Sequence, residues 1–440
     1  MKLSDDFFDV RRAELRPALL MFGFFFAVIA GFQVLKPLKK GLFVAQFGAE
    51  QELIAKGLNI DVAFAAMVAF SYLYNRLGGR RLVACLVAIF LVALAIFAAL
   101  ISDQPSAIFN YAFYLFGDLW STIWVATFWA FLNEMSTTDQ SKRLYGFIGT
   151  GGLLGGIFAS TLVSSFVRGY SSRPLILFCI VLTLLIALFT LQADRLARRP
   201  GAALRYHERP MLLERIRTRT TFDGARMVFK SKYLLSIVGI LALYEFCSQI
   251  LDFQFSSVLA ARMSGGRDIQ AYLAGVYLIT NILSLVIQFI LTTFLLRRFG
   301  PGAGLIVLPI AMALSSGVFF WNASLLMGSL LIISDNGLNY SINQTSRETL
   351  FVPTSSDAQY KARAFTNMFV QRLAKGAATT VSAVFILIGI RWLSLITIAI
   401  TTGWIAIALY AGRRFQLLSE QSNQEKIAPT QKKELRAGSF

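Results

Sequence analysis

Charge is scarce in this sequence. Asp, Glu, Lys and Arg make up 15% of its 440 residues, where a soluble domain carries about a quarter. Apolar residues fill 56%, which excludes an ordinary soluble globule of this length. Histidine is almost missing: the one His207 falls in a polar stretch and reads as a surface residue, not a proton relay. Cysteine is rare too. Cys85, Cys179 and Cys247 each lie in an apolar run, as small buried residues outside any disulfide framework. The alternating ten-residue pattern of an outer-membrane barrel is missing. So are a metal-ligand cluster and a nucleophile–base set, so no catalytic residue, metal or cofactor is expected. "GTGGLLGG", Gly149 to Gly156, lacks the Gly-Lys-Ser/Thr ending of a phosphate loop and opens an apolar run, which favours tight helix packing.

What remains is long apolar stretches. A bilayer crossing takes about 20 such residues, and twelve stretches qualify: 17–35, 58–75, 82–101, 107–131, 147–167, 174–192, 234–256, 269–294, 303–321, 324–345, 365–389 and 392–411. The first is too long, and too little like a cleavable leader, to read as a signal peptide. Many are rich in Gly, Ala, Ser and Thr, which let helices approach closely in lipid. The expected fold is an all-α integral membrane protein with twelve transmembrane helices in two six-helix halves around a central cavity. The expected boundaries are an N-terminal half at 1–193, a basic cytoplasmic linker at 194–233, a C-terminal half at 234–412 and a polar, disordered tail at 413–440.

The net charge of +18 invites a nucleic-acid reading, but its distribution argues for topology. With both termini inside, cytoplasmic segments hold about 31 of the 42 Lys and Arg and outer loops about six, in accord with the positive-inside rule. No nucleic-acid partner is expected; the bilayer is, around a monomer in the inner membrane of a bacterium. The other five basic residues lie within or at the edge of spans: Lys36, Lys39, Lys40, Arg372 and Lys375.

Charge at membrane depth is costly and by default functional. Lys36, Lys39 and Lys40, in "LKPLKKGLF", share one helical face at i, i+3, i+4, and Pro37 is expected to interrupt the helix there. Glu245, Gln249 and Asp252 follow i, i+4, i+7; Asp335, Asn339 and Asn343 follow i, i+4, i+8; Arg372 and Lys375 are i, i+3. Asp118 stands alone in the fourth span, and Glu134 caps its cytoplasmic end. Polar stripes of this kind must face protein or water. Crowded like charges need a shared anion, either an intramembrane acid or a polyanionic ligand. Lysines suit phosphates as point charges, and Arg372 adds a bidentate grip. The blander account is that Glu245, Asp252 and Asp335 pair with the lysines and merely stabilise the bundle, with Glu134 and Glu348 at the membrane interface and Lys36 snorkelling to headgroups.

"YNRLGGRRLV" after the second stretch and "LLRRFGPGAGL" after the eighth form a faint internal echo. Such a Gly/Arg turn resembles the signature loop of the major facilitator superfamily, with Asn75 where that loop usually has an acid. Further motifs resemble the non-mitochondrial ATP/ADP translocases of plastids and intracellular bacteria: "YAFYLFGDLWSTIWVATFWAFLNEMSTTDQSKRLYGFIG" at 111–149, "LKPLKKG", "LYEFCSQILDFQF" at 243–255, and the run from "SRETLFVP" to "RLAKGAA" at 346–378.

That resemblance implies exchange of ATP for ADP, or in some members proton-coupled nucleotide uptake. It places Lys39 on the first-span lysine, Glu134 on the acid after Phe-Trp, Asp252 where the family has glutamate, and Lys375 on the lysine before the small-residue run. By resemblance the lysines hold phosphates, and the acids balance charge or couple the steps. Lys40 and Pro37 stand where the family usually has acids, and Glu245 where it has a small residue. Three readings follow: an ATP:ADP exchanger working by alternating access, a proton-coupled importer of a nucleotide or other phosphorylated organic anion, and a non-transporting membrane scaffold or sensor. The expected substrate contacts are Lys36, Lys39, Lys40, Arg372, Lys375, Asn339 and Asn343. The expected coupling or charge-balancing acids are Asp118, Glu134, Glu245, Asp252 and Asp335.

Overall fold

The computed structural model describes residues 10–102, 105–136, 138–198, 225–351, 353–354, 362 and 365–437. Among them all regular structure is helical, and nine helices are long and apolar enough to cross a membrane. The first of these, Arg12–Phe70, contains the expected stretch 17–35 and most of 58–75. Two others, 324–345 and 365–389, are divided by π-helical turns.

Helix α1, Arg12–Leu100, is assigned as one run of 89 residues, yet it folds back on itself. Lys40 and Glu52 lie 3.4 Å apart, whereas twelve residues of straight helix separate side chains by about 18 Å. The turn is at Gly48, whose φ of 75° is open to glycine at little steric cost. One expectation is corrected here. Helix continues through Pro37, because proline removes only its own N–H and membrane helices absorb the loss. Residues 76–81, the expected Gly/Arg turn, belong to the same run and fall between the candidate spans Arg12–Phe70 and Arg81–Leu100.

The chain forms two compact units. The first comprises Met1–Arg215 with Leu259–Ile282. Its helices are α1, α2 (Ala107–Met135), α3 (Thr138–Phe166) and α4 (Arg173–Ala197). Ser106 caps α2 by accepting from the Phe109 N–H at 3.2 Å. The aromatic run of α2 turns inward: Trp120, Trp124 and Phe128 are fully buried, and Phe128 stacks on Phe25 of α1 with centroids 4.3 Å apart. The glycine-rich start of α3 lies so close to α1 that a Cβ on Gly151 would stand 2.6 Å from the Phe22 carbonyl oxygen. Tight packing therefore explains "GTGGLLGG". Nearer the start of both helices Arg143 grips Glu14 through two hydrogen bonds of 2.8 and 2.9 Å.

The Leu259–Ile282 segment is tied into this unit by buried amides. The Ser172 hydroxyl donates to Gln270 at 2.9 Å, Gln33 donates to Asn281 at 3.2 Å, and Asn281 donates to Ser160 at 3.2 Å.

The second unit comprises Ile216–Val258 with Leu283–Phe440. It holds most of α5 (Lys232–Arg262), the end of α6 (Gly266–Val286), and α7 (Thr293–Trp321), which bends at Gly300 (φ 75°, ψ 175°) just before Pro301. Then come α8 (Leu325–Leu338), α9 (Gln344–Leu350), α10 (Gln371–Ile388) and α11 (Leu393–Ala437). Three π-helical segments interrupt the series, at Ile287–Thr292, Asn339–Asn343 and Thr366–Val370. Gln254 of α5 donates to the Ile390 carbonyl at 2.9 Å and to Ser394 at 3.0 Å, and Tyr233 donates to the Leu350 carbonyl at 2.7 Å.

Helical backbone runs to Ala437. This corrects the expected disorder after Arg413: the tail is rich in Gln, Glu, Lys and Leu, all good helix formers. His207 and linker residues 199–224 lie outside the described residues.

Candidate functional site

The five membrane-depth basic residues divide between the units, Lys36, Lys39 and Lys40 in the first and Arg372 and Lys375 in the second.

In the first unit the three lysines take different partners. Lys39, 5% exposed, is ion-paired with Asp118 of α2. The other carboxylate oxygen of Asp118 accepts from the Asn59 amide at 3.0 Å. The Lys39 ammonium also reaches the Tyr114 carbonyl at 3.5 Å and lies 4.5 Å from the Tyr114 ring centroid. Gly117 makes room for the lysine stem, since a Cβ there would stand 2.6 Å from Lys39 Cδ. Lys40 is paired with buried Glu52 at 3.4 Å. Lys56 approaches the same Glu52 oxygen at 3.4 Å, and the Tyr114 hydroxyl donates to it at 3.1 Å. Lys36 stands over the Tyr277 ring, 4.1 Å from its centroid, a cation–π contact that steadies an ammonium in poor solvent.

The fold-back at Gly48 builds this cluster. It lays Gln51, Glu52 and Asn59 against Tyr111, Tyr114 and Asp118, which share one face of α2 at i, i+3, i+7.

The second unit is more open. Lys375 of α10, its side chain 45% exposed, lies 3.4 Å from Glu245 of α5. Asp335 is buried and accepts from the Ser248 hydroxyl at 2.6 Å. Asn343 donates to Asn339 at 2.9 Å across a π-helical turn, a backbone form enriched at functional sites. Asp252, one turn along α5 from Ser248, and Arg372, one turn before Lys375, are both partly buried. Glu348 is exposed. The side chain of Glu134 lies outside the described residues.

Sequence reasoning missed Glu52, Lys56, Asn59 and Tyr114. Hydropathy places Glu52 and Lys56 between spans; their i, i+4 acid–base spacing was the available signal.

Each principal lysine thus rests on an acid of its own unit, Lys39 on Asp118 and Lys375 on Glu245. Such a pair is neutral overall, and a phosphate oxygen can replace the carboxylate without stranding a bare ammonium.

A family model described as TLC ATP/ADP transporter matches residues 1–110 and 105–331, about three-quarters of the sequence. The chain belongs to that family. As a TLC ATP/ADP transporter family member it is an integral membrane transport protein, and its relatives are long matches. The chloroplastic ADP,ATP carrier protein 1 of Arabidopsis thaliana is 20% identical, over 96% of this chain and 78% of the carrier. The ADP,ATP carrier protein 1 of Chlamydia trachomatis is 21% identical, over 93% and 88%. The ADP,ATP carrier protein 4 of Rickettsia bellii is 22% identical, over 88% and 86%. Among solved structures, the nucleoside transporter NupG superposes with a TM-score of 0.55 at 15% identity, covering 91% of this chain and 99% of that one. The xylose transporter XylE from E. coli does so with a TM-score of 0.58 at 13% identity, covering 90% and 95%. These likenesses show that this TLC family member shares a transporter fold with them.

Proposed function

We propose that this transporter exchanges ATP for ADP by alternating access, with Lys39 and Lys375 meeting the phosphates. The observation that carries the reading is the pairing of each lysine with an acid of its own unit. An empty site then has low net charge and holds together without substrate. An arriving phosphate displaces Asp118 or Glu245, and the freed acid takes its lysine back when the nucleotide leaves. Family membership and the ADP,ATP carrier relatives support ATP and ADP as the exchanged pair.

The twelve-helix, two-halves arrangement around a central cavity belongs to the same proposal, as do monomeric action, cytoplasmic termini and residence in a bacterial inner membrane. Arg372, Lys36, Lys40, Asn339 and Asn343 assist binding, while Glu134, Asp252 and Asp335 balance charge.

The test is counterflow in proteoliposomes. Internal ADP accelerates entry of labelled ATP in the wild type, and Lys39→Ala and Lys375→Ala each abolish the acceleration while the protein still inserts. Acceleration that survives both substitutions sinks the site assignment.

A second reading, proton-coupled uptake of a nucleotide or other phosphorylated anion, has one observation in its favour. Glu245 is buried at 9% exposure, and an acid there can carry a proton once Lys375 leaves it. Uptake that collapses with an uncoupler and ignores internal nucleotide would select it.

A further inference from the structure

We propose that Glu52 is a specificity-determining residue, an internal anion that sets how much negative charge the first unit accepts from its substrate. The inference rests on the reading that Lys39 and its neighbours meet the nucleotide's phosphates.

Three groups converge on one Glu52 oxygen: the Lys40 and Lys56 ammoniums, each at 3.4 Å, and the Tyr114 hydroxyl at 3.1 Å. Two ammoniums and a hydroxyl around a single anionic oxygen are also what a terminal phosphate oxygen requires. Glu52 therefore occupies a phosphate-like position.

It is close to the principal lysine as well. Tyr114 joins the two pairs, its ring 4.5 Å from the Lys39 ammonium and its hydroxyl on Glu52. Lys39, Lys40 and Lys56 thus share the carboxylates of Asp118 and Glu52. Glu52 and Lys40 are almost completely shielded, at 1% and 6% side-chain exposure, so their fields are weakly screened.

A more highly charged nucleotide must contend with that carboxylate. Neutralising Glu52 removes one negative charge from beside Lys40 and Lys56 and favours ATP over ADP. Removing Lys56 leaves Glu52 bearing more fully on Lys40 and does the reverse.

The experiment uses full-length protein in proteoliposomes, measuring ATP/ATP and ADP/ADP homoexchange and taking the ratio of the two KM values. Glu52→Gln should shift the ratio about fivefold toward ATP. Lys56→Gln should shift it about two- to threefold toward ADP, and Glu52→Asp should leave it near the wild-type value. If Glu52→Gln does not fold, Lys56→Gln carries the test, since that side chain is 17% exposed and tolerates truncation better.

A purely structural Glu52 gives a different result: lower thermal stability with the ratio unmoved in every variant that folds. That outcome overturns the inference and leaves the exchange reading intact. A wild-type protein that exchanges neither nucleotide overturns both.

Discussion

In the first unit one glycine turns α1 back on itself and delivers Glu52 to the membrane-depth Lys40. In the second the backbone stays helical through its polar residues but is underwound into π turns beside them, at Asn339–Asn343 and Thr366–Val370. The first arrangement buries its charge: Lys39, Lys40 and Glu52 are almost inaccessible. The second leaves Lys375 half exposed opposite Glu245. A buried pair holds its lysine away from water, while a half-exposed lysine keeps part of its hydration beside a buried acid. The proposed exchange would therefore meet a fully enclosed lysine in one unit and a partly hydrated one in the other.

The comparison breaks most visibly at Lys39. Lys39→Ala leaves Asp118 with Asn59 but without its cation and should lower exchange by at least about thirtyfold, measured as labelled nucleotide uptake in proteoliposomes. Lys375→Ala should also lower exchange, and should lower the melting temperature less than Lys39→Ala does, because the Lys375 side chain is 45% exposed although its partner Glu245 is buried.

Gly48→Val comes next. A branched side chain at a φ of 75° costs about 1–2 kcal/mol and should lower the melting temperature of purified protein by a few degrees. Gly57→Ala is the control, since a Cβ there meets nothing within 4 Å. A smaller effect separates the units directly. A double-mutant cycle across Lys39–Asp118 should return a coupling of about 1–3 kcal/mol, and one across Lys375–Glu245 less than about 1 kcal/mol. Equal couplings would erase the distinction. Smallest of all, Ser248→Ala removes the donor to Asp335 and should cost about 1 kcal/mol in denaturant unfolding.

Much of this is legible in the sequence. Composition alone marks a helical membrane protein, and the family match agrees with the motifs at 111–149 and around the first-span lysines. Lys39 and Asp118 stand out because charge in an apolar run is costly. Their pairing does not, because spacing along a chain says nothing of which helix lies alongside. Glu52 stayed hidden for a different reason. Its role depends on a positive φ at Gly48, and "QFGAE" reads as the edge of a loop.

The Asn339–Asn343 spacing was visible, but an i, i+4 pattern does not distinguish an α turn from a π turn, and the structure chooses the latter. The membership of Leu259–Ile282 in the first unit was likewise invisible. It is set by which helix lies alongside, through small core residues such as Ala271 and Ala274 and amide contacts such as Gln33 with Asn281, that hydropathy does not register.

The π turn at Thr366–Val370 has a geometric consequence for α10. One residue of α-helix advances the chain by about 100° of rotation, so the extra residue accommodated in that turn sets the azimuth of everything after it. Deleting a single residue there would swing the Lys375 ammonium roughly a quarter of the way around the helix axis, away from α5. The aim of the lysine is therefore stored upstream, in a winding defect that no side-chain substitution on α10 itself could mimic.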